Sequence, residues 1–99
     1  MSRTVAFVSL ASAEYADAVL WYEAAQPGLG AAFRAAVQRT LHLIAERPQS
    51  FALHPDTGLR RALLHRFPYA IHFEDTPERI VVFAVFHAKR DPRRLADRR

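Results

Sequence analysis

Hydrophobic and polar positions alternate along residues 69–74, YAIHFE, with the two-residue period of a half-buried strand. Two flanking apolar runs, at residues 62–67 and 80–87, are rich in aromatic and branched residues and are too short for a typical helix. Pro68 and the turn-like segment 75–78 separate the three runs. The pattern therefore predicts three consecutive strands. The last of them is apolar on both sides and belongs in the middle of a sheet.

Helical spacing dominates the first half of the chain. Apolar residues recur every three or four positions along residues 13–25, after Ser12, which can cap a helix N-terminus. A second stripe of the same kind follows the break at residues 26–28 and ends before Pro48. A short apolar run at residues 5–10 predicts a strand ahead of both helices. Together these elements predict a single domain over residues 1–99, with an α+β fold in the order β-α-α-β-β-β.

The two predicted helices can cover only one face of this sheet. The last strand then presents Val81, Phe83 and Val85 on the opposite, uncovered face. Either the sheet curls and shields this face, or a partner protein covers the exposed apolar area. We therefore interpret Val81, Phe83 and Val85 as candidate residues for binding a protein partner.

The composition narrows the class of protein. With about half of its 99 residues apolar, the chain can form one modest core. No apolar run approaches the roughly 18 residues of a membrane span, and the first residues do not resemble a signal peptide. The chain has no cysteine, so disulfides and thiolate metal sites are excluded, and a cytoplasmic location fits.

The net charge of +4 is concentrated at the end of the sequence. Residues 87–99 hold six basic and two acidic residues, whereas residues 1–86 hold eight of each. A basic tail over residues 88–99 suits contact with phosphate or with an acidic protein surface. The alternative interpretation is a solvated segment. We expect the fold to survive removal of residues 95–99 in either case.

A few residues are candidates for acid–base chemistry. His87 ends the last predicted strand close to Arg90, and a histidine beside guanidinium groups can act as a general acid on a phosphate ester. Arg66 on the neighbouring strand could join it, and Glu46 at the end of the second helix is the nearest general base. The alternative is a histidine that ends a strand among surface ion pairs. The five histidines lack metal-binding spacing, so we expect no metal and no other cofactor, and Trp21 is expected to pack in the core.

Four segments carry a pattern that extends over nearly the whole chain. They are WYEAAQPGLGAAF at residues 21–33, IAERP at 44–48, LRRALLHRFPYAIHFE at 59–74 and IVVFAVFHAKRDPRRL at 80–95. In this order they resemble the RelE/ParE superfamily of bacterial type II toxins, many of which are called plasmid stabilisation proteins. The most specific part is FPYAI followed by an apolar strand and HAKRDP. The resemblance implies two N-terminal helices packed on one face of a small antiparallel sheet.

The resemblance also implies a toxin that a cognate antitoxin neutralises in a toxin–antitoxin hetero-oligomer. ParE-like members inhibit DNA gyrase and have no nuclease site. RelE-like members are metal-independent endoribonucleases that cut mRNA in the ribosomal A site. Arg66 and His87, and more loosely Glu46, match positions that carry the nuclease activity.

This chain departs from the ribonuclease pattern. It has a single lysine, no tyrosine after His87, and Leu95 where a tryptophan is common. These departures and the helical segment WYE…PGLG favour the ParE-like interpretation, a gyrase inhibitor, over the RelE-like ribonuclease. Under the favoured interpretation the target is contacted by basic residues of the tail, which are Lys89, Arg90, Arg93 and Arg94.

Overall fold

The computed structural model describes residues 3–99, which form four strands and two long helices. The elements in chain order are β1 (Thr4–Phe7), α1 (Ser9–Ala25), α2 (Leu29–Glu46), β2 (Arg60–Leu63), β3 (Tyr69–Asp75) and β4 (Arg79–His87). Two short 3-10 helices follow α2 and β4, at Pro48–Ser50 and Arg93–Arg98. The predicted α+β class and the order of the elements are confirmed.

The strands form one sheet in the order β1-β4-β3-β2. The pairs β2–β3 and β3–β4 are antiparallel, as two consecutive hairpins require. β1 lies parallel to β4, with Thr4 opposite Arg79, so the sheet is mixed rather than wholly antiparallel. The helix pair makes this pairing possible, because it carries the chain across one face of the sheet between β1 and β2. β4 therefore has a strand on each side and occupies the centre, as its apolar faces predicted.

Two element boundaries differ from the sequence prediction. The first strand ends at Phe7, because the amide of Val8 donates the last hydrogen bond to Val82 (3.0 Å) and the Val8 carbonyl then accepts from Ser12 (3.0 Å). Helix α1 consequently begins at Ser9. β2 ends at Leu63, because Arg66 adopts a left-handed backbone conformation (φ 80°) and turns the chain into β3.

Glu23 holds the two helices together as a hairpin. Its carboxylate accepts hydrogen bonds from the amides of Gly28 (3.0 Å) and Gly30 (3.0 Å) at the start of α2. These amides have no partner within their own helix, and a negative charge near them is favourable. Gly30 also marks the closest approach of the helices, since a Cβ there would lie 2.8 Å from the Val19 carbonyl oxygen.

The main core lies between the helix hairpin and the sheet. Phe33 of α2 is fully buried, with its ring centroid 5.0 Å from that of Tyr22, 5.3 Å from Phe67 and 5.1 Å from Tyr69. The Tyr22 ring is stacked on Phe33 and the other two rings meet it edge to face, and both arrangements pack favourably at these separations. Phe33 thus fixes the hairpin over the turn that leads into β3.

A bulge in β4 overturns the expectation that Val81, Phe83 and Val85 share one face. His72 pairs with Ala84 and Phe73 pairs with Val82, so Phe83 is an extra residue in β4. Val85 consequently packs into the main core, whereas Val81 and Phe83 lie on the opposite face.

That opposite face is covered by the chain itself. Leu59, from the segment before β2, and Leu95, from the helix Arg93–Arg98, pack with Phe83 and Phe86 in a second cluster. Leu95 is only 2% exposed. The expectation of a bare face was wrong because no local pattern in the chain indicates that the basic tail folds back onto the sheet. A partner that touches Phe83 would first have to move this helix.

Candidate functional site

A cleft opens between α1 and the end of β4, with a volume of about 360 Å³. Helix α1 contributes polar and aromatic side chains to one wall, and the ends of β3 and β4 form the other. Its lining includes Asp17, Trp21, Tyr69, His87 and Arg90. The cleft therefore combines an exposed aromatic wall with charges of both signs.

Tyr69 and His87 face each other across the β3–β4 pair, with ring centroids 5.9 Å apart. Burial raises the pKa of Tyr69, so its phenol keeps its proton at neutral pH. The Nδ1 atom of His87 accepts a hydrogen bond from the Lys89 amide (3.1 Å). This bond leaves Nε2 of a neutral imidazole as the proton-bearing nitrogen. His87 can donate a hydrogen bond into the cleft, while Tyr69 cannot serve as a base.

Glu14 lines the cleft and completes the edge of β4. β1 pairs with β4 only as far as Val82, which leaves the following backbone groups without a strand partner. The Glu14 Oε1 atom accepts from the Val85 amide (3.1 Å), and Arg98 Nη1 donates to the Phe83 carbonyl (2.7 Å). Glu14 and Arg98 also bind each other. The two side chains therefore take the place of a missing stretch of strand.

Arg90 is held against the wall of the cleft. Its guanidinium lies 4.5 Å from the centroid of the Phe86 ring and 3.4 Å from a Glu14 carboxylate oxygen. Stacking on an aromatic face and contact with a carboxylate both restrict an arginine. Arg90 is thus a partly neutralised cation that lies against the fold, although its side chain is more than half exposed.

The structure does not bring the three predicted catalytic residues together. His87 lines the cleft, Arg66 lines a smaller concavity beside α2, and Glu46 lines a third near Phe51. Glu46 is instead paired with His42, at 2.7 Å on the outer surface of α2. Within residues 3–99, no hydrogen bond or ion pair joins any two of the three. Of these three residues, His87 lies in the same cleft as Arg90, which was predicted to bind the target.

Two of the four predicted target-binding residues have a carboxylate partner within the fold. Arg93 makes a two-pronged contact with Asp91 (2.9 and 2.7 Å), and this contact lowers the pKa of Asp91 to about 2. Arg90 faces Glu14. Lys89 and Arg94 are exposed and have no carboxylate partner within the part of the chain that the structure describes. The tail therefore packs against the body and forms ion pairs with it, and the solvated-tail interpretation is wrong for Leu95 and Arg98.

Sequence reasoning missed Trp21 and Glu14. Trp21 was expected in the core, but it is 65% exposed on the cleft, whereas its neighbour Tyr22 is buried. The stripe of Tyr15, Val19 and Tyr22 already defines the inward face of α1, and Trp21 is rotated away from it by the helix geometry. That rotation was the available signal. The pairing of Glu14 with Arg98, 84 residues later, has no local signal.

His72 is a buried neutral histidine rather than a ligand. It is 1% exposed, and its ring packs 4.9 Å from the centroid of Phe86. Burial, and then the charge of Arg61, lowers the pKa of His72 to about 4. Across the described residues 3–99, no three His, Cys, Asp or Glu side chains converge as metal ligands would. No helix in the same range is long and apolar enough to cross a membrane.

Comparison with known proteins assigns this fold to a family. The sequence matches the family described as ParE toxin of type II toxin–antitoxin system, parDE, over residues 5–92. The fold is similar to a solved structure of the chromosomal ParDE toxin–antitoxin system from P. aeruginosa, with a TM-score of 0.64 and 15% sequence identity. That match covers 87% of this chain and 96% of the other. A search of curated protein sequences gave no significant match. Because the family match spans nearly the whole domain, the chain belongs to the ParE toxins of type II toxin–antitoxin systems.

Proposed function

We propose that this protein is a cytoplasmic toxin that inhibits DNA gyrase by surface contact and is neutralised by a cognate antitoxin. The observation that supports gyrase inhibition over RNA cleavage is the separation of Arg66, His87 and Glu46 into three different concavities. A general acid and a general base must both reach the reacting group, at hydrogen-bond distance or through one water. These three side chains do not form such an arrangement.

The cleft is the surface that best suits contact with a large target. Trp21 projects from α1, and His87 and Arg90 form the opposite wall. Exposed tryptophan and arginine side chains are frequent anchors of protein interfaces. Lys89 and Arg94 add exposed positive charge after β4, and the paired Arg93 lies between them in sequence. We expect the target to be held by this combined surface rather than by a flexible arm.

The antitoxin partner follows from membership of the family, and its position on this chain is a separate part of the proposal. Val81 is partly exposed, whereas Phe83 and Val85 are covered by the chain itself. An antitoxin segment that contacts Val81 and Phe83 would approach the face of the sheet that the helix Arg93–Arg98 covers. Val85 would be reached only from the cleft side, where it forms part of the lining.

A ribonuclease is the alternative, and the presence of His87 and Arg90 in the same cleft is the observation that favours it. The two functions respond differently to substitution. Loss of a general acid lowers a catalytic rate by about 100-fold or more, whereas loss of one contact at an extended surface gives a graded effect.

The test is supercoiling of relaxed plasmid by purified DNA gyrase in the presence of the purified toxin. We expect inhibition that antitoxin reverses, with partial loss in Trp21→Ala, Lys89→Ala, Arg93→Ala and Arg94→Ala. Arg79→Ala, an exposed arginine at the other end of β4, is the charge-matched control and should inhibit normally. Codon-phased mRNA cleavage in induced cells that disappears in His87→Ala, with gyrase unaffected, would replace this proposal with the ribonuclease.

A further inference from the structure

The positive charge of the folded protein is not located where the sequence places it. Residues 87–99 carry the whole net charge, yet four of their five arginines have carboxylate partners. Three of these partnerships draw on acidic residues of the body, because Glu14 binds Arg90 and Arg98 and Glu74 binds Arg99. Two acidic residues of the body, Glu14 and Glu74, therefore pair with the tail, while several body arginines have no ion-pair partner within residues 3–99.

Two of those arginines line one concavity. It lies between α2 and the turn that follows β2, has a volume of about 120 Å³, and is lined by Arg39, His65 and Arg66 over a floor of alanines and Phe67. Within residues 3–99, neither Arg39 nor Arg66 has a carboxylate within the 4.0 Å of an ion pair. We call this the Arg39–Arg66 concavity. No acidic side chain lines it, in contrast to the mixed charges of the cleft.

The backbone at this concavity is under strain. Arg66 has a φ of 80°, a left-handed conformation that costs a residue with a Cβ free energy and that glycine adopts without penalty. Its guanidinium rests 5.4 Å from the centroid of the Phe67 ring. Strain of this kind is often retained where a side chain must be presented in a particular direction.

We propose that the Arg39–Arg66 concavity binds a phosphate group of a nucleic-acid backbone. Two guanidinium groups and an imidazole offer several N–H donors to one small space, which suits the oxygens of a phosphate better than the two oxygens of a carboxylate. The volume is below that of sites for drug-sized ligands and fits a single small group. The concavity is at the surface, where a phosphate that belongs to a polymer can reach it.

This site stands independently of which target the toxin has. If the target is gyrase, the natural ligand of the site is the DNA that gyrase holds. Only this identification of the ligand rests on the proposed function. The phosphate contact would add a sequence-independent, salt-sensitive component to the binding of a nucleoprotein target.

The test is fluorescence anisotropy of a labelled DNA duplex titrated with the full-length toxin at several salt concentrations. The test variant is Arg39→Gln/Arg66→Gln. The control is Arg34→Gln/Arg47→Gln, which removes the same charge from two exposed arginines outside the concavity, one within α2 and one directly after it. Circular dichroism establishes that both variants are folded.

We expect the test variant to bind DNA at least about tenfold more weakly than the control, with a salt slope smaller in magnitude by about one, because one phosphate contact is lost. Inorganic phosphate, added at constant ionic strength, should compete with DNA for the wild type and the control more than for the test variant. Equal weakening in both variants would mean that net charge alone attracts DNA, and would overturn the site. Absence of DNA binding by the wild type at low salt would overturn it too. The site would also be overturned if Arg39 and Arg66 were required for binding poly-glutamate and not for binding DNA.

The same variants separate this inference from the gyrase proposal. If gyrase activity is unaffected by every form of the toxin while DNA binding depends on Arg39 and Arg66, the gyrase proposal fails and the phosphate site stands. If gyrase is inhibited equally by the test variant and the control, and DNA binding is also equal, the phosphate site fails and the gyrase proposal stands.

Discussion

Arg98, in the last turn of the chain, forms a two-pronged ion pair with Glu14 in the first helix, at 3.0 and 2.8 Å. Both side chains are largely buried, at 13% and 17% exposure. Each also satisfies a backbone group at the edge of β4, the carbonyl of Phe83 and the amide of Val85. The basic tail is therefore part of the sheet's structure and not an appendage to it.

Arg98→Ala should destabilise the protein by about 2–4 kcal/mol, because it leaves Glu14 buried without its counter-charge and the Phe83 carbonyl without a donor. Arg99→Ala is the matched control, since Arg99 pairs with Glu74 at an exposed position and should cost less than about 1 kcal/mol. Urea denaturation of each variant measures its change in the free energy of unfolding. Equal midpoints for the two variants would contradict the structural role of Arg98. We now expect removal of residues 95–99 to destabilise the fold, contrary to the expectation from sequence.

Gly30→Ala should reduce stability by about 1–3 kcal/mol, although alanine is the better helix former. A Cβ at this position would lie 2.8 Å from the Val19 carbonyl oxygen and 2.9 Å from Glu23, so α1 and α2 would have to separate. Thermal unfolding provides the measurement. Ala31→Gly, at the exposed neighbouring position, should show only the intrinsic helix-propensity loss of about 1 kcal/mol or less. A rise in melting temperature for Gly30→Ala would show that the helices are not in close contact.

Stability should fall as the pH decreases from about 6.5 to about 4, in part because of His72. The pKa of His72 is lowered to about 4 in the fold, against 6.5 for the unfolded group, so the unfolded chain binds a proton that the folded chain rejects. This contribution is fully present above pH 6.5 and declines by about 3 kcal/mol on reaching pH 4. The measurement is the free energy of unfolding against pH for the wild type and for His72→Met. Between pH 6.5 and pH 4 the wild type should lose about 3 kcal/mol more than His72→Met, and parallel curves would contradict the assignment.

Arg66→Gly should be more stable than Arg66→Ala by about 1 kcal/mol. Both variants lose the guanidinium, but only alanine retains a Cβ in the left-handed conformation (φ 80°). Urea denaturation of the two variants isolates the backbone strain from the loss of side-chain contacts. If Arg66→Ala proved the more stable, the turn would not hold a left-handed residue in solution.

The local patterns of the sequence predicted the elements and failed where contacts are distant. Leu29, Phe33 and Val37 repeat at helical spacing, and such a pattern depends on a few neighbouring residues only. Strict alternation along β4 placed Val85 on the wrong face, because the extra residue Phe83 shifts the alternation by one position. Every residue in this part of the strand is apolar, so the sequence contains no mark of the bulge. Likewise, a count of charges along the sequence located the positive charge in the tail. Such a count does not show that Glu14 and Glu74 of the body neutralise arginines of the tail.

The parallel pairing of β1 with β4 has a consequence for how the chain acquires its structure during synthesis. β1 and α1 emerge first, yet β1 finds its ladder partner only in residues 79–82, and Glu14 finds its own in Arg98, 84 residues later. Contacts so far apart in sequence slow folding, because a long loop must be closed before they are gained. The first strand therefore stays unpaired until β4 has been synthesised. A chain cut short before β4 lacks the centre of its sheet, so the native fold can form only after β4 and the helix Arg93–Arg98 have been added.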